Sequence, residues 1–253
     1  MRTGPRLDDD RRRELAGAYL SGAGRYDRVR PGYPGAIADW LVPAHAREAV
    51  DVGAGTGLFT RALVDRGLDV TAVDPSEDML AVLSTRLPAI PAVLGTAEET
   101  HLPAASADLL TLAQTWHWCD PAATVREAAR VLRPGGTLAL VWNQLDVAVP
   151  WVHRLSRIMH AGDVFSPDDR PDVGRLFGPP EDLLVRWTQE LTLPDVIDLA
   201  RSRSYYRRAS PALQSRVEAN LDWYLTEYLA FPAGAILRLP YYTHAWRATA
   251  LQP

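Results

Sequence analysis

The sequence predicts an α/β fold: a mostly parallel sheet of seven strands, with helices on both faces and a helical cap. From residue 49 onward, short apolar runs alternate with segments of helical periodicity, which is typical of parallel strands joined by helices. A glycine-rich turn, "GAGTG", follows the first apolar run. The rhythm changes after Asn143, where we place the cap.

The alternating region supplies five strands and three helices. We expect strands at 49–53, 68–74, 91–95, 107–114 and 136–143, and helices at 57–67, 76–87 and 121–132. Gly67 ends the first of these helices, and Pro121 suits the start of the third, where a proline removes no helical hydrogen bond.

The flanking segments predict the remaining elements. A helix is expected over 8–20, and Pro34 begins another over 34–42. Residues 144–180 are rich in Asp, Pro and Arg without clear periodicity, so we expect them to form an insertion on the surface. The last elements are a strand over 183–193, an amphipathic helix over 210–231 and a strand over 235–249, in which Pro240 suggests an edge or a bulge.

These elements divide the chain into four parts. They are an N-terminal helical cap or lid over 1–45, a ligand-binding core over 46–143, a cap insertion with one strand and helices over 144–232, and a C-terminal strand over 233–253 that completes the sheet.

Composition excludes several classes of function. All 27 basic residues are Arg, so Schiff-base catalysis and a P-loop lysine are both impossible. Cys119 is the only cysteine, which excludes an intrachain disulfide and a cysteine-rich zinc site. A net charge of −4 gives no basic footprint for nucleic acid, and no apolar run is as long as a membrane span. The charged start lacks the apolar run of a signal peptide, so we expect a cytoplasmic protein.

The glycine-rich turn and one acidic residue predict a nucleoside ligand. Gly53, Gly55 and Gly57 let the backbone approach a ligand at the carboxyl end of the first strand. Asp74 closes the second strand, nineteen residues beyond Gly55, where a carboxylate can accept hydrogen bonds from both ribose hydroxyls. Two cofactor classes share this pair. The NAD fingerprint G-x-G-x-x-G, however, has Leu58 at its last position here, which weighs against NAD.

Ordered motifs across the chain resemble class I S-adenosylmethionine-dependent methyltransferases. They are "VDVGAGTG", "VDPSEDML", "LGTAEE", "ADLLTLAQTWHW" and "VLRPGG", and "RSRSYYRR" and "LPYYTHAWRA" extend the similarity toward the C-terminus. The most similar group is the small-molecule methyltransferases of type 11, such as those of ubiquinone biosynthesis and of trans-aconitate. The resemblance implies a Rossmann-like fold, S-adenosylmethionine as methyl donor, S-adenosylhomocysteine as product and a small-molecule acceptor.

The resemblance also assigns the cofactor residues. The methionine half would be lined by Asp51, Gly53, Ala54, Gly55 and Gly57, with Gln114 beneath it. Asp74 would hold the ribose, and Pro75 would shape the turn that follows. On the adenine side stand Met79, Ala97 and Glu98. Met79 has a second interpretation, as plain helix core, and Thr96 stands where the family often has an acid.

The stretch "YDRVRPGYP" ahead of the first strand matches a signature of the same group. Its Tyr26 and Arg30 would close over the cofactor as a lid, with Arg30 near the methionine carboxylate and Tyr33 supporting on the acceptor side. The prolines hold Arg30 and Tyr33 extended. The alternative is a rigid entry turn whose aromatic residues pack into the core.

The run "QTWHWCD" after the fourth strand marks the side from which an acceptor would approach. His117 is the candidate catalytic base, and Trp116 and Trp118 would form an apolar wall that favours the sulfonium. His117 equally suits a role that only positions the loop. We expect Asp120 to cap the next helix and Cys119 to be buried.

The acceptor and the reaction leave alternatives open. The segment 201–208, which includes Tyr205, could bind an anionic acceptor or form a solvated face. The histidines show no metal-ligand spacing, so no metal is expected, and the oligomeric state is not predicted. The rival functions are a methyltransferase-like protein that binds the cofactor without transferring methyl, such as a cyclase or binding module, and an NAD-dependent oxidoreductase.

Overall fold

A computed structural model describes residues 29–160 and 170–251, in which seven strands form one mixed sheet. The helix expected over 8–20 and the lid residue Tyr26 lie outside these ranges. The strands are β1 Glu48–Val52, β2 Asp69–Asp74, β3 Ala92–Leu94, β4 Ala107–Ala113, β5 Leu132–Leu145, β6 Glu181–Thr192 and β7 Ile236–Thr249. Their order across the sheet is β3-β2-β1-β4-β5-β7-β6. The α/β prediction is confirmed.

The strand order places a crevice at one edge of the sheet. β1 to β5 are parallel, whereas β7 runs antiparallel between β5 and β6. β1 pairs with β2 on one side and β4 on the other, so the chain crosses to opposite directions from this strand. Ligands of open α/β sheets bind at such a point, beyond the carboxyl ends of the strands.

Eight α-helices complete the described fold. They are α1 Gly35–Leu41, α2 Leu58–Val64, α3 Glu77–Arg86, α4 Pro121–Val131, α5 Pro150–Ile158, α6 Leu193–Arg201, α7 Ser204–Arg208 and α8 Pro211–Trp223. Their starts follow the capping residues of the sequence: Ser76 accepts the Met79 N–H ahead of α3, and Asp120 accepts the Ala123 N–H ahead of α4. Asp120 is therefore a cap, as expected.

Helices cover both faces of the sheet because side chains along each strand alternate in direction. On β4, Leu110 and Leu112 join the cluster that packs against α4, whereas Leu109 joins the cluster that contains α1 and α2. The same alternation on β5 separates Leu138 from Ala139. Burial on both faces explains why the parallel strands are near-continuous apolar runs.

The expectation that 144–180 is only a surface insertion was wrong for its first half. α5 lies in this range, and its Val152, Leu155 and Met159 are buried in a third cluster together with α6, α8 and the ends of β5 and β7. Their helical spacing was hidden by the basic residues between them, which are exposed.

Pro240 does not mark an edge strand, because β7 is an interior strand paired on both sides. The carbonyl of Pro240 accepts the Asp146 N–H just past the end of β5, so the missing N–H of the proline also faces that side. No hydrogen bond to β6 is lost there. The helix expected over 210–231 ends at Trp223 and continues as one π-helical turn over Tyr224–Tyr228.

Two kinds of feature are absent from the described residues. None of the helices is long and apolar enough to cross a membrane. Within the same ranges, no group of three His, Cys, Asp or Glu side chains could hold a metal ion.

Candidate functional site

The glycine turn connects β1 to α2 at the carboxyl edge of the sheet. Gly53, Gly55 and Gly57 all have positive φ, at 70°, 55° and 88°. The N–H groups of Gly53 and Ala54 both donate to the carbonyl of Val73 on β2, at 2.8 and 3.1 Å. These bonds fold the turn back across the end of β2, so its left-handed residues are held in place.

Two of the glycines are required for different reasons. A Cβ atom on Gly53 would lie 2.2 Å from Oγ1 of Thr115, which is a steric clash. A Cβ atom on Gly55 would meet nothing within 4 Å. Gly53 therefore serves close packing against the loop after β4, whereas Gly55 borders open space that a ligand can enter. That cradle fits a ligand bound through the backbone of the turn.

Asp74 fastens the glycine turn to the end of β2. Its Oδ2 accepts the Gly55 N–H at 2.8 Å, and its Oδ1 accepts the Ser76 N–H at 2.9 Å. Burial raises the pKa of this carboxyl, and the two N–H donors oppose the shift. Each carboxylate oxygen keeps a second lone pair, so Asp74 can still accept from the hydroxyls of a sugar.

Asp51 lies beneath the turn. Its side chain is 1% exposed, and its two oxygens accept the hydroxyls of Thr60 at 2.7 Å and Thr111 at 2.8 Å. Burial raises its pKa to about 6, and the charge of Asp74 adds to the shift. The structure thus shows Asp51 supporting the strand and helix that flank the turn.

The residues predicted for the adenine side lie at the carboxyl ends of β2 and β3. Pro75 is exposed, whereas Met79 is only 4% exposed in the first turn of α3 and Ala97 belongs to the core. Burial of Met79 agrees with its interpretation as helix core. Glu98 accepts the Asp120 N–H at 2.7 Å and so links this side to the loop after β4.

Gln114 directly follows β4 and takes part in a hydrogen-bonded junction that the sequence did not reveal. Gln114 has a positive φ of 57°, and its side-chain Nε2 donates to the carbonyl of Asn143 at 2.6 Å. Asn143 in turn donates to the carbonyl of Gly32 at 2.8 Å and accepts the Thr243 hydroxyl at 2.5 Å. The N-terminal segment is thereby tied to β5 and β7. The available signal was a polar residue at the end of the apolar run "LALVW".

The stretch ahead of β1 contacts two parts of the structure. The Arg30 guanidinium donates to the carbonyl of Ser202, at the end of α6, at 2.9 Å. Gln189 of β6 donates to the carbonyl of Val29. Val29 is fully buried in the third cluster, with α5, α6 and α8. Tyr33 packs edge-on against Phe59 of α2 at 4.8 Å, as in the alternative of a packed entry turn.

The predicted acceptor wall is a short 3₁₀ turn over Trp116–Trp118. Trp116 is buried in the core, and Trp118 is partly exposed, with its ring 4.8 Å from that of His117. Burial lowers the pKa of His117 to about 4, so its imidazole is neutral at pH 7. Cys119 is buried, as expected.

The positive charge of the segment 201–208 is partly neutralised by acidic residues of α6 and α8. Arg201 binds Glu218 through two hydrogen bonds of 2.8 Å and Asp198 through one of 3.0 Å. Tyr205 stacks on His160, which follows α5, with ring centroids 3.9 Å apart. The segment therefore packs against neighbouring helices and is not simply a solvated face.

Two arginines also surround a buried tyrosine at the carboxyl edge of the sheet. Tyr241 of β7 pairs with Leu145, the last residue of β5. Burial raises the pKa of its hydroxyl to about 12, while the nearby charges of Arg203 and Arg30 oppose that shift. Positive charge is thus concentrated near the carboxyl end of β5.

Comparison with known proteins gives matches over the core and over the whole chain. Residues 50–140 match a family model described as a methyltransferase domain. An uncharacterised methyltransferase of Mycobacterium tuberculosis is 44% identical over 239 residues, 94% of this chain and 98% of that protein. Malonyl-[acyl-carrier protein] O-methyltransferase of Serratia marcescens is 34% identical over 136 residues, 52% of this chain and 53% of that enzyme.

Among solved structures, a type II methyltransferase described as putative, from Anaeromyxobacter dehalogenans, is similar throughout. It superimposes with a TM-score of 0.63 at 25% identity, over 88% of this chain and 99% of that one.

Proposed function

Because this chain belongs to the class I S-adenosylmethionine-dependent methyltransferases, we propose that it methylates a carboxylate oxygen of a small-molecule acceptor. One observation carries the assignment of the cofactor crevice. The Gly55 N–H donates to Asp74 at 2.8 Å, beside space that a Cβ atom on Gly55 would enter without contact. A ligand in that space would meet a backbone turn and a carboxylate together, which suits a nucleoside.

In this proposal, the chain's own residues bind and orient the reactants. The cofactor, when bound, supplies a methyl group on a positively charged sulfur, ready for in-line displacement. Asp74 would accept the ribose hydroxyls through its remaining lone pairs. The turn from Gly53 to Gly57 and Gln114 would border the methionine half, above Asp51. Pro75, Met79, Ala97 and Glu98 would border the adenine.

The cap would exclude water and align the acceptor, which is most of what methyl transfer asks of a protein. We propose that 1–45 and 144–232 form this cap over the core at 46–143 and the strand at 233–253. Tyr26, Tyr33 and Arg30 would close it from the N-terminal side. Trp116, Trp118 and Tyr205 would border the acceptor.

Electrostatics favour a carboxylate acceptor over a hydroxyl or an amine. A general base works best when its pKa is near the working pH, and the pKa of His117 is about 4. His117 would therefore be a weak base, better suited to positioning the loop. A carboxylate needs no base, and the charges of Arg30 and Arg203 near Tyr241 would favour an anion.

One relative fits this choice. The Serratia marcescens enzyme is, by its name, an O-methyltransferase of a malonyl group, and a malonyl group ends in a free carboxylate. Methylation at nitrogen or at a hydroxyl is the second candidate, and it requires His117 or water to take up a proton.

Two measurements test the proposal separately. Calorimetry with S-adenosylmethionine, S-adenosylhomocysteine and NADH should show binding of the first two alone. Release of S-adenosylhomocysteine should then be measured with short mono- and dicarboxylic acids, phenols and primary amines. Turnover of carboxylic acids is the expected result. Turnover of amines or phenols alone would refute the carboxylate acceptor, and binding of NADH alone would refute the cofactor assignment.

A further inference from the structure

A groove on the cap, between α5 and α8, lies outside the site described above. We propose that it binds a soluble phosphate monoester that carries a short apolar chain. This second site would be distinct from the cofactor crevice, because no residue of the glycine turn and none at the carboxyl ends of β1, β2 or β4 lines the groove. It adjoins the proposed acceptor side, where Tyr205 stacks on the lining residue His160.

The groove is a cavity of about 610 Å³ built from one face of each helix. On α5 and just beyond it, His153, Arg157 and His160 follow the spacing i, i+4, i+7, which places them on one side of the helix. On α8, Arg216 and Asn220 face them with the same four-residue spacing. A cavity of this size accommodates a small ligand.

The lining of the groove is positively charged, and no acid among the residues that the structure describes pairs with Arg157 or Arg216. None of the described acidic residues lines the cavity. Glu218, the acid of α8 nearest to Arg216 in sequence, binds Arg201 instead. Guanidinium groups from the two helices suit a phosphate dianion, which accepts paired hydrogen bonds from Arg.

A third arginine is held by aromatic rings. The guanidinium of Arg154 lies 4.4 Å from the ring centroid of Tyr228, 5.2 Å from that of Tyr224 and 5.5 Å from that of Trp223. Cation–π contacts fix the position of this group without neutralising its charge. Arg154 therefore adds a preorganised positive charge to the groove.

The remaining lining residues are apolar. They are Pro150, Ile158, Leu213 and Val217. Val217 is 4% exposed and belongs to the core of the cap, so this surface is firmly supported. Apolar residues beside three arginines match a ligand with an anionic head and a hydrocarbon part.

The test uses the full chain, with hexyl phosphate as the probe and hexanol and inorganic phosphate as its two halves. Calorimetry should give one binding site for hexyl phosphate, weaker binding of inorganic phosphate and none of hexanol. The double variant Arg157→Gln/Arg216→Gln should weaken hexyl phosphate at least tenfold. The matched control is Arg126→Gln/Arg175→Gln, which removes the same charge at two exposed positions outside the groove and should leave the affinity unchanged.

Several outcomes would overturn the proposal. They are an equal loss in the control variant, equal binding of hexanol, and displacement of hexyl phosphate by saturating S-adenosylhomocysteine. Binding to vesicles of phosphatidic acid without binding to hexyl phosphate would also overturn it, since a membrane surface would then be the partner. All four arginines are exposed, so thermal unfolding should show that both double variants keep the fold.

Discussion

The glycine turn offers a matched pair of substitutions that separates packing from ligand binding. Gly53→Ala and Gly55→Ala both place an alanine at positive φ, which costs about 1–2 kcal/mol. Only the first also creates a clash, with Oγ1, Cγ2 and Cβ of Thr115 at 2.2, 2.4 and 2.9 Å from the new Cβ. Overpacking of this kind adds about 1–3 kcal/mol. Gly53→Ala should therefore lose about 2–5 kcal/mol of unfolding free energy, and Gly55→Ala about 1–2.

Cofactor affinity should change in the opposite order, with the larger loss in Gly55→Ala. The new methyl group of Gly55→Ala enters the open space at which we place the cofactor, so affinity should fall at least tenfold in a protein that remains well folded. Urea unfolding at one pH gives the two free energies, and calorimetry with S-adenosylmethionine gives the two affinities. Thr115→Gly is the second substitution of a double-mutant cycle, because it removes all three atoms that would clash with the new Cβ.

The double variant Gly53→Ala/Thr115→Gly tests whether the clash with Thr115 destabilises Gly53→Ala. Removal of the clash should restore about 1–3 kcal/mol beyond the sum of the single effects, measured as the coupling energy of the cycle. Thr115 also donates to the carbonyl of Ala113 at 3.0 Å, and the cycle subtracts the loss of that bond. Equal stabilities of the two alanine variants, or a coupling energy near zero, would show that a clash with Thr115 does not explain the requirement for glycine at position 53. Unchanged affinity in Gly55→Ala would place the cofactor elsewhere.

Three further predictions concern the ionisable groups. The pKa of Asp51 is raised from 3.8 to about 6, so its protonated form stabilises the fold below pH 4, and this contribution of about 3 kcal/mol is lost as pH rises through 6. Asp51→Asn should therefore remove the corresponding fall in unfolding free energy between pH 4 and 7, measured by urea unfolding. An unchanged pH dependence would refute this prediction. Asp74→Asn leaves one oxygen for two N–H donors and should weaken S-adenosylmethionine at least tenfold by calorimetry, whereas Asp69→Asn at the exposed start of the same strand should not. His117→Ala should lower kcat by less than the roughly 100-fold expected for a general base, and the wild-type kcat should show no inflection near pH 6.5; a larger loss would make His117 the base.

The sequence alone predicted those features that depend on residues close together in the chain. Alternating periodicity, the glycine turn and the cap at Asp120 are local features, and the structure contains each of them. The resemblance to class I methyltransferases could be stated because its motifs occur in order over most of the chain, and relatives that match over 94% of the chain confirm it. The burial of α5 was missed, since His153, Arg154 and Arg157 interrupt the apolar residues of a short helix.

Long-range contacts could not be predicted in the same way. Thr115 packs against Gly53 from 62 residues away, and Asn143 contacts Gly32 from 111 residues away. A single polar residue at a strand end carries no information about its partner. The insertion of β7 between β5 and β6 is likewise set by the pairing of three distant segments, which an alternating pattern does not specify.

Hydrogen bonds explain how the chain keeps two buried carboxyls at one turn. Burial raises the pKa values of both Asp51 and Asp74, so their charged forms are destabilised by the surrounding protein. Hydroxyl donors from Thr60 and Thr111, and N–H donors from Gly55 and Ser76, offset part of that cost. A positively charged sulfonium in the crevice would offset more of it, and a neutral thioether product would not. The same electrostatics that make the empty turn less stable would therefore favour the methyl donor over its product.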